Sequence, residues 1–141
     1  CQEAKNFKAG ADELLGSFEN LVGLSLIQKN LYREAYEHFA RAATCYKHAD
    51  ATYNLGLCFY KGYGVNKDFE RAMALWIKAA DEGHNKAQYQ VAVGYIRGMG
   101  NLPKNKNLAL KYLDKSIRSE NPPSQAVALY DAWMSKYKKK V

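Results

Sequence analysis

The sequence holds little that would break a helix and little that would cross-link or catalyse. Three prolines in 141 residues suit an α-rich chain, because proline removes a backbone donor and ends helices. No apolar run approaches the ~18 residues of a membrane span, so membrane insertion is not expected. Cysteine is scarce and odd in number: Cys1, Cys45 and Cys58. No even framework appears, so a disulfide scaffold is not expected. A reducing compartment, cytoplasmic, is then the simpler assumption. The chain begins at Cys1 rather than Met. It is therefore read as a fragment, and its targeting stays open.

Chemistry is equally sparse. Cys45 and His48 stand three apart, but a zinc site needs about four convergent ligands, and His38 and His84 belong to other turns. There is no Ser/His/Asp constellation, no His-Glu-x-x-His and no evident buried carboxylate pair. Gly62-Tyr63-Gly64 lacks the further glycine and the lysine of a nucleotide loop. No catalytic, cofactor or metal residue is assigned. His38 stands where later units carry Leu75 and Tyr112, so it reads as a half-buried helix histidine.

What the chain does have is helical periodicity. Ala51, Leu55, Cys58 and Phe59 recur at i, i+4, i+7 and i+8, one stripe of a helix. Ala72, Leu75, Trp76, Ala79 and Ala80 make a second stripe. Gly62-Tyr63-Gly64 between them ends the first helix, since glycine tolerates the left-handed conformation. Asp68 is placed to cap the second. The stretch reads as a hairpin of two antiparallel helices.

The unit recurs. Ala87, Tyr89, Val91, Ala92, Ile96, Gly98 and Gly100 repeat Ala51, Tyr53, Leu55, Gly56, Tyr60, Gly62 and Gly64 about 36 residues later, a spacing typical of helical repeats. Asn105, Ala109, Tyr112, Leu113 and Ser116 follow Asp68, Ala72, Leu75, Trp76 and Ala79. Upstream, Ala35, Phe39, Ala42 and Ala43 precede Ala72, Trp76, Ala79 and Ala80, and Gly23-Leu24 precede Gly56-Leu57. That first unit has a shorter connection without the Gly-x-Gly loop, and Asn30 is placed to cap its second helix.

Leu55-Gly56, Tyr60, Gly62-Tyr63-Gly64-Val65, Asp68, Ala72, Trp76, Lys78-Ala79-Ala80, Gly83 and Ala87-Gln88 resemble the Sel-one-like repeat, a relative of the tetratricopeptide repeat. The resemblance is close over residues 51 to 88 and looser to about 118. It implies a non-enzymatic scaffold for protein partners. Tyr32-Arg33-Glu34-Ala35 through Ala43, with Tyr53 to Tyr60, are also similar to the repeat domain of the death ligand signal enhancer family, which relays mitochondrial stress. That likeness implies a self-associating, mitochondrial reading. An adaptor of endoplasmic-reticulum degradation and secreted bacterial repeat proteins are further relatives of the same kind.

The expected fold is all-α. It is a right-handed α/α superhelix of about three helix-hairpin repeats with a C-terminal capping helix. The units are about 12–46, 47–83 and 84–120 in a single domain of 1–141. The cap runs about 124–137, opened by Ser124, with Val127, Tyr130 and Met134 on one side. A frayed basic tail follows at 138–141.

First helices of such arrays line a concave surface, the default binding site. Asn54 and Lys61 match Gln90 and Arg97, with Gln28 level in the first unit, so a polar, basic row is expected. Arg97 is its best anchor, because the guanidinium fork grips carboxylates in two places. The expected partner is an acidic protein or peptide. The competing account is a solvated helix edge, where single charges gain little. Leu14, Leu15, Phe18 and Leu21 exceed what one hairpin covers, so self-association is a second expectation. The eleven tyrosines fall mostly on core stripes, with Tyr63 in its loop the exposed candidate. The net charge is +7, with Lys136, Lys138, Lys139 and Lys140 crowded at the end and the other lysines scattered, so a specific nucleic-acid site is not expected; specific binding would want a basic stripe with stacking aromatics. A weak nucleic-acid binder and a hydrolase-like repeat protein stand as alternatives of other classes, without residues to carry the chemistry.

Overall fold

A computed structural model describes residues 9–139 of the chain. It runs α1 (Ala9–Gln28), α2 (Tyr32–Cys45), α3 (Ala49–Lys61), α4 (Phe69–Asp81), α5 (Asn85–Arg97), a short 3-10 turn (Met99–Asn101), α6 (Lys106–Ile117) and α7 (Ser124–Lys139). No strand occurs among the described residues. Each helix packs on the next, so hairpins α1/α2, α3/α4 and α5/α6 stack in order with α7 laid on the last. This is the α-solenoid expected from the repeat.

Within each hairpin a small residue of the first helix meets a large one of the second. A Cβ on Gly23 would fall 2.5 Å from the Phe39 ring, and one on Gly56 2.5 Å from Trp76 Nε1. The third hairpin has Ala92 and Leu113 at these positions, both fully buried. A larger small residue there accompanies a smaller large one, as close packing requires. Trp76 is fully buried and donates its indole N–H to the Tyr53 carbonyl at 3.1 Å. The tyrosines do pack between layers: Tyr36 lies edge-on to Phe59, Tyr60 lies against Phe69 and Trp76, and Tyr95 stacks with Tyr112.

The two glycines of each loop do different jobs. Gly62 (φ 76) and Gly98 (φ 70) end α3 and α5 in the left-handed conformation, donating to the Cys58 and Gly94 carbonyls, each at 2.8 Å. The second glycine sets the loop on the preceding hairpin. Any Cβ on Gly64 (φ 76) would meet the Tyr32 carbonyl at 2.7 Å, and one on Gly100 (φ 58) the Phe69 carbonyl at 2.6 Å. Each thus rests on the start of the previous second helix. Asp68 and Asn105 then cap α4 and α6, accepting from Arg71 N and Leu108 N at 3.0 Å.

Several expectations need correction. Asn30 does not cap α2. It sits at φ 60 and accepts from the Tyr32 hydroxyl, while Leu31 takes the cap position without a side-chain bond. Ser124 is the first helical residue of α7, and the Pro123 carbonyl accepts from Ala126 and Val127. The inward face of α7 carries Ala126, Leu129, Tyr130 and Trp133, whereas Val127 is exposed. That helix also continues through Lys138, so no tail begins there; residues 140 and 141 lie outside the described residues. Tyr63 is not free in its loop. It stacks on Tyr32 with ring centres 4.3 Å apart. Cys45 is disulfide-bonded, which removes the basis for preferring a reducing compartment.

Candidate functional site

The first helices α3, α5 and α7 share a register. Ala51, Ala87 and Ala126 are each the third residue of their helix and each fully buried. Counting on from there, Lys61, Arg97 and Lys136 are each the thirteenth, and all three are exposed. Lys136 of α7 thus stands at the helix position that Lys61 and Arg97 hold in α3 and α5, a match the sequence spacing had not aligned. In α3 and α5 these residues also close the last turn, where the helix dipole favours a cation. Lys61 extends over the Tyr63 ring, 5.7 Å from its centre. Arg97 has no ion pair or hydrogen bond among the described residues.

The other two row members are spent otherwise. Asn54 is half-buried and donates to Asn20 Oδ1 at 2.9 Å. Gln90 hydrogen-bonds the Tyr53 side chain, whose pKa is raised by burial and pulled back by that bond. Both side chains therefore tie a first helix to the preceding one. Gln90 nevertheless lines a polar recess of about 200 Å³ with Tyr53, Lys86, Tyr89 and Gln125. Of the four predicted residues, the structure leaves Lys61 and Arg97 open to a partner and gives Asn54 and Gln90 mainly a linking role.

Two histidines carry structure the sequence reading did not assign. His48 and His84 are the N-caps of α3 and α5, where Nδ1 accepts from Ala51 N at 3.3 Å and Ala87 N at 3.1 Å. An accepting Nδ1 puts the proton on Nε2. His48 Nε2 then donates to Ser17 Oγ at 3.1 Å, and His84 Nε2 to Asp50 at 2.9 Å. Each ring caps its own helix and reaches back to the preceding first helix. Burial pushes the His84 pKa down; Asp50 opposes this, while Lys86 and His48 add to it. The ring is also stacked on Tyr53, 4.7 Å between centres. The recurrence of His 36 residues apart was visible; its capping role was not, because histidine is not among the preferred caps.

His38 sits half-buried, as expected, against Glu19, which also takes Arg41 at 3.2 Å. Burial raises the Glu19 pKa, but these two partners outweigh it and hold the carboxyl below its usual range. Cys58 is fully buried, and burial pushes its thiol up to about 12, which makes it an inert core residue. No group of three or more metal-ligating side chains occurs among the described residues, and no described helix is long and apolar enough to cross a membrane. At the other end of the array, Leu14, Phe18 and Leu21 are 73%, 61% and 64% exposed, whereas Leu15 is half-buried and leaves the predicted surface set.

The comparisons agree with this geometry. The Sel1 repeat model matches residues 11–45, 49–84 and 85–121. Chitin synthase regulatory factor 2 of Schizosaccharomyces pombe is 30% identical over 100 residues, 70% of this chain and 19% of its own length. Chitin synthase regulatory factor 3 of the same yeast is 27% identical over 111 residues, 79% of this chain and 12% of its own. The chain thus spans a fifth or less of those relatives. Among solved structures, a Sel1 repeat protein from Oxalobacter formigenes matches with a TM-score of 0.65 and 30% identity, over 71% of this chain and 42% of that one. The protective antigen c5321 of uropathogenic Escherichia coli shares the fold at TM-score 0.67 and 20% identity, over 85% of this chain and 32% of that one.

Proposed function

The chain belongs to the Sel1 repeat family, whose repeats are generally protein-protein interaction modules, and from that premise we propose that it is a non-enzymatic adaptor holding an acidic partner along its first helices. The observation that carries this is the matched pair Lys61 and Arg97, exposed at the same position of successive helices. Neither is neutralised by a carboxylate among the described residues. Arg97 offers a bidentate fork. Gln90, bonded to Tyr53, ties α5 to α3 and so helps hold the distance between the cations. The curated relatives bear a regulatory name. The part of that role which this chain would share is holding a protein, not a defined chemistry.

The test is a comparison of partners captured by the unaltered chain and by Lys61→Glu/Arg97→Glu. Both side chains are exposed, so the fold is retained. Loss of the same captured proteins supports the row. Capture unchanged by the double reversal overturns it.

A second reading, self-association, is favoured by one observation. Leu14, Phe18 and Leu21 present a contiguous apolar strip on α1, more than half exposed. Exposed strips of this kind mark interaction sites. Light scattering that finds only monomer at high concentration removes this reading.

A further inference from the structure

The junction of α7 with the third hairpin differs from the two earlier ones in how its first helix runs on. After α3 and α5 the chain turns at Gly62 and Gly98, and a second glycine sets the loop on the preceding hairpin. Behind Gly100, Leu102 packs against the buried core. α7 does not turn at the equivalent point. Its fourteenth residue is Tyr137, where α5 is followed by Gly98, and the helix continues to Lys139.

A groove of about 450 Å³ lies at this junction, lined by Ile96 of α5, Lys106 of α6, and Leu129, Trp133, Lys136 and Tyr137 of α7. That volume lies within the roughly 300–1,000 Å³ of ligand pockets. Its walls are aliphatic and aromatic, and both of its charged lining groups are lysines. Neither lysine has an ion pair among the described residues. An apolar slot rimmed by two ammonium groups suits an occupant with an apolar tip between carboxylates, since complementary potentials select partners.

We propose that this groove binds an acidic peptide segment of a partner protein. One apolar side chain of the segment would fill the slot as Leu102 fills the preceding junction. Flanking Asp or Glu side chains would pair with Lys106 and Lys136. The inference rests on the interaction-module reading but uses a different surface, the end of the array rather than the Lys61/Arg97 row.

The test uses short fluorescein-labelled peptides, each with Leu, Ile, Met or Phe at its centre and Asp and Glu on both sides. A second set has Lys in place of the acids. Fluorescence polarisation reads binding to the unaltered chain and its variants. Acidic members are expected to bind, and Lys106→Glu and Lys136→Glu to weaken them about tenfold each, an ordinary loss for a charge pair. Trp133→Ala is expected to abolish the preference among apolar centres. The lysine variants change exposed residues, so they keep the test valid if Trp133→Ala misfolds. Binding of the Lys-flanked set as tightly as the acidic set overturns the proposal. So does binding that survives both lysine reversals. Binding lost instead in Lys61→Glu/Arg97→Glu overturns the groove and leaves the adaptor reading standing. Peptide binding at the groove, with captured partners lost in Lys106→Glu/Lys136→Glu but not in Lys61→Glu/Arg97→Glu, removes the row and supports the groove. A dimer that disappears with Lys136→Glu assigns the groove to a second copy and overturns the proposal.

Discussion

The first and second hairpins face one packing problem and solve it with different parts. In both, a glycine of the first helix admits a ring of the second: Gly23 with Phe39, Gly56 with Trp76. Their connections differ. The second turns through Gly62 and Gly64 and rests on Tyr32 and Arg33 of the hairpin before it. The first connects through Lys29, Asn30 and Leu31 alone, and Asn30 takes the left-handed φ. The paired-glycine loop is therefore a device for joining repeats rather than for closing a hairpin. A hairpin can close without it.

That difference can be broken at Gly64. A side chain there would need φ 76 and would strike backbone at 2.7 Å. Gly64→Ala is expected to cost about 3 kcal/mol, combining left-handed strain with a clash that cannot relax. Gly83→Ala is the control. It shares a positive φ of 98 but has open space around it, so strain alone, about 1 kcal/mol, is expected. Asn30→Gly should change stability by a few tenths of a kcal/mol at most, because asparagine already tolerates that region. Urea midpoints measure all three. Equal losses at Gly64 and Gly83 would refute the joining role.

The ring sites allow a subtler comparison. Gly56→Ala brings a methyl within 2.5 Å of Trp76 and is expected to cost about 2 kcal/mol by overpacking. The third hairpin already carries the alternative solution, Ala92 with Leu113. Introducing Trp76→Leu together with Gly56→Ala should therefore recover about 1 kcal/mol relative to the sum of the single changes. Simple additivity would mean that the two positions do not act as a unit.

Acid acts on the His84 cap. The fold holds His84 below its ordinary pKa, chiefly by burial. The folded chain then binds fewer protons at this site than the unfolded chain does. The stability contributed here is fully present above the unfolded value of about 6.5 and is lost as pH falls through it toward the folded value. Protonation also places a hydrogen on Nδ1, which ends its acceptance from Ala87. His84→Asn keeps a capping acceptor without a titrating ring. It should flatten the fall in stability between neutral and mildly acidic pH. An unchanged slope would show that other groups govern it; Glu19, held low by His38 and Arg41, acts in the lower carboxylate window.

Much of this architecture could be read from residue spacing. Periodic Ala, Leu and Trp positions revealed the helices, and the glycine pairs revealed the repeat. What escaped depended on neighbours distant in sequence. His48 and His84 look like linker residues until the preceding first helix supplies Ser17 and Asp50. Tyr63 looks exposed until Tyr32 lies under it. Asn54 and Gln90 look like a binding row until Asn20 and Tyr53 engage them. Lys136 was hidden by a longer connection, which broke the even spacing that had aligned Lys61 with Arg97.

The smallest expected effect concerns the exposed strip on α1, and it sharpens the opening contrast. In α3, Ala51 and Cys58 are fully buried. In α1, Phe18 and Leu21 stay open. Because these side chains bury little area within the chain, Phe18→Ser and Leu21→Ser should alter monomer stability by less than about 0.5 kcal/mol. Their effect should appear in association instead. If copies pair through this strip, the double variant runs as a monomer at concentrations where the unaltered chain does not, and its melting point ceases to depend on concentration. A large loss of monomer stability would mean that the strip is part of the first hairpin's own core. The first hairpin would then resemble the second more closely than its exposure suggests.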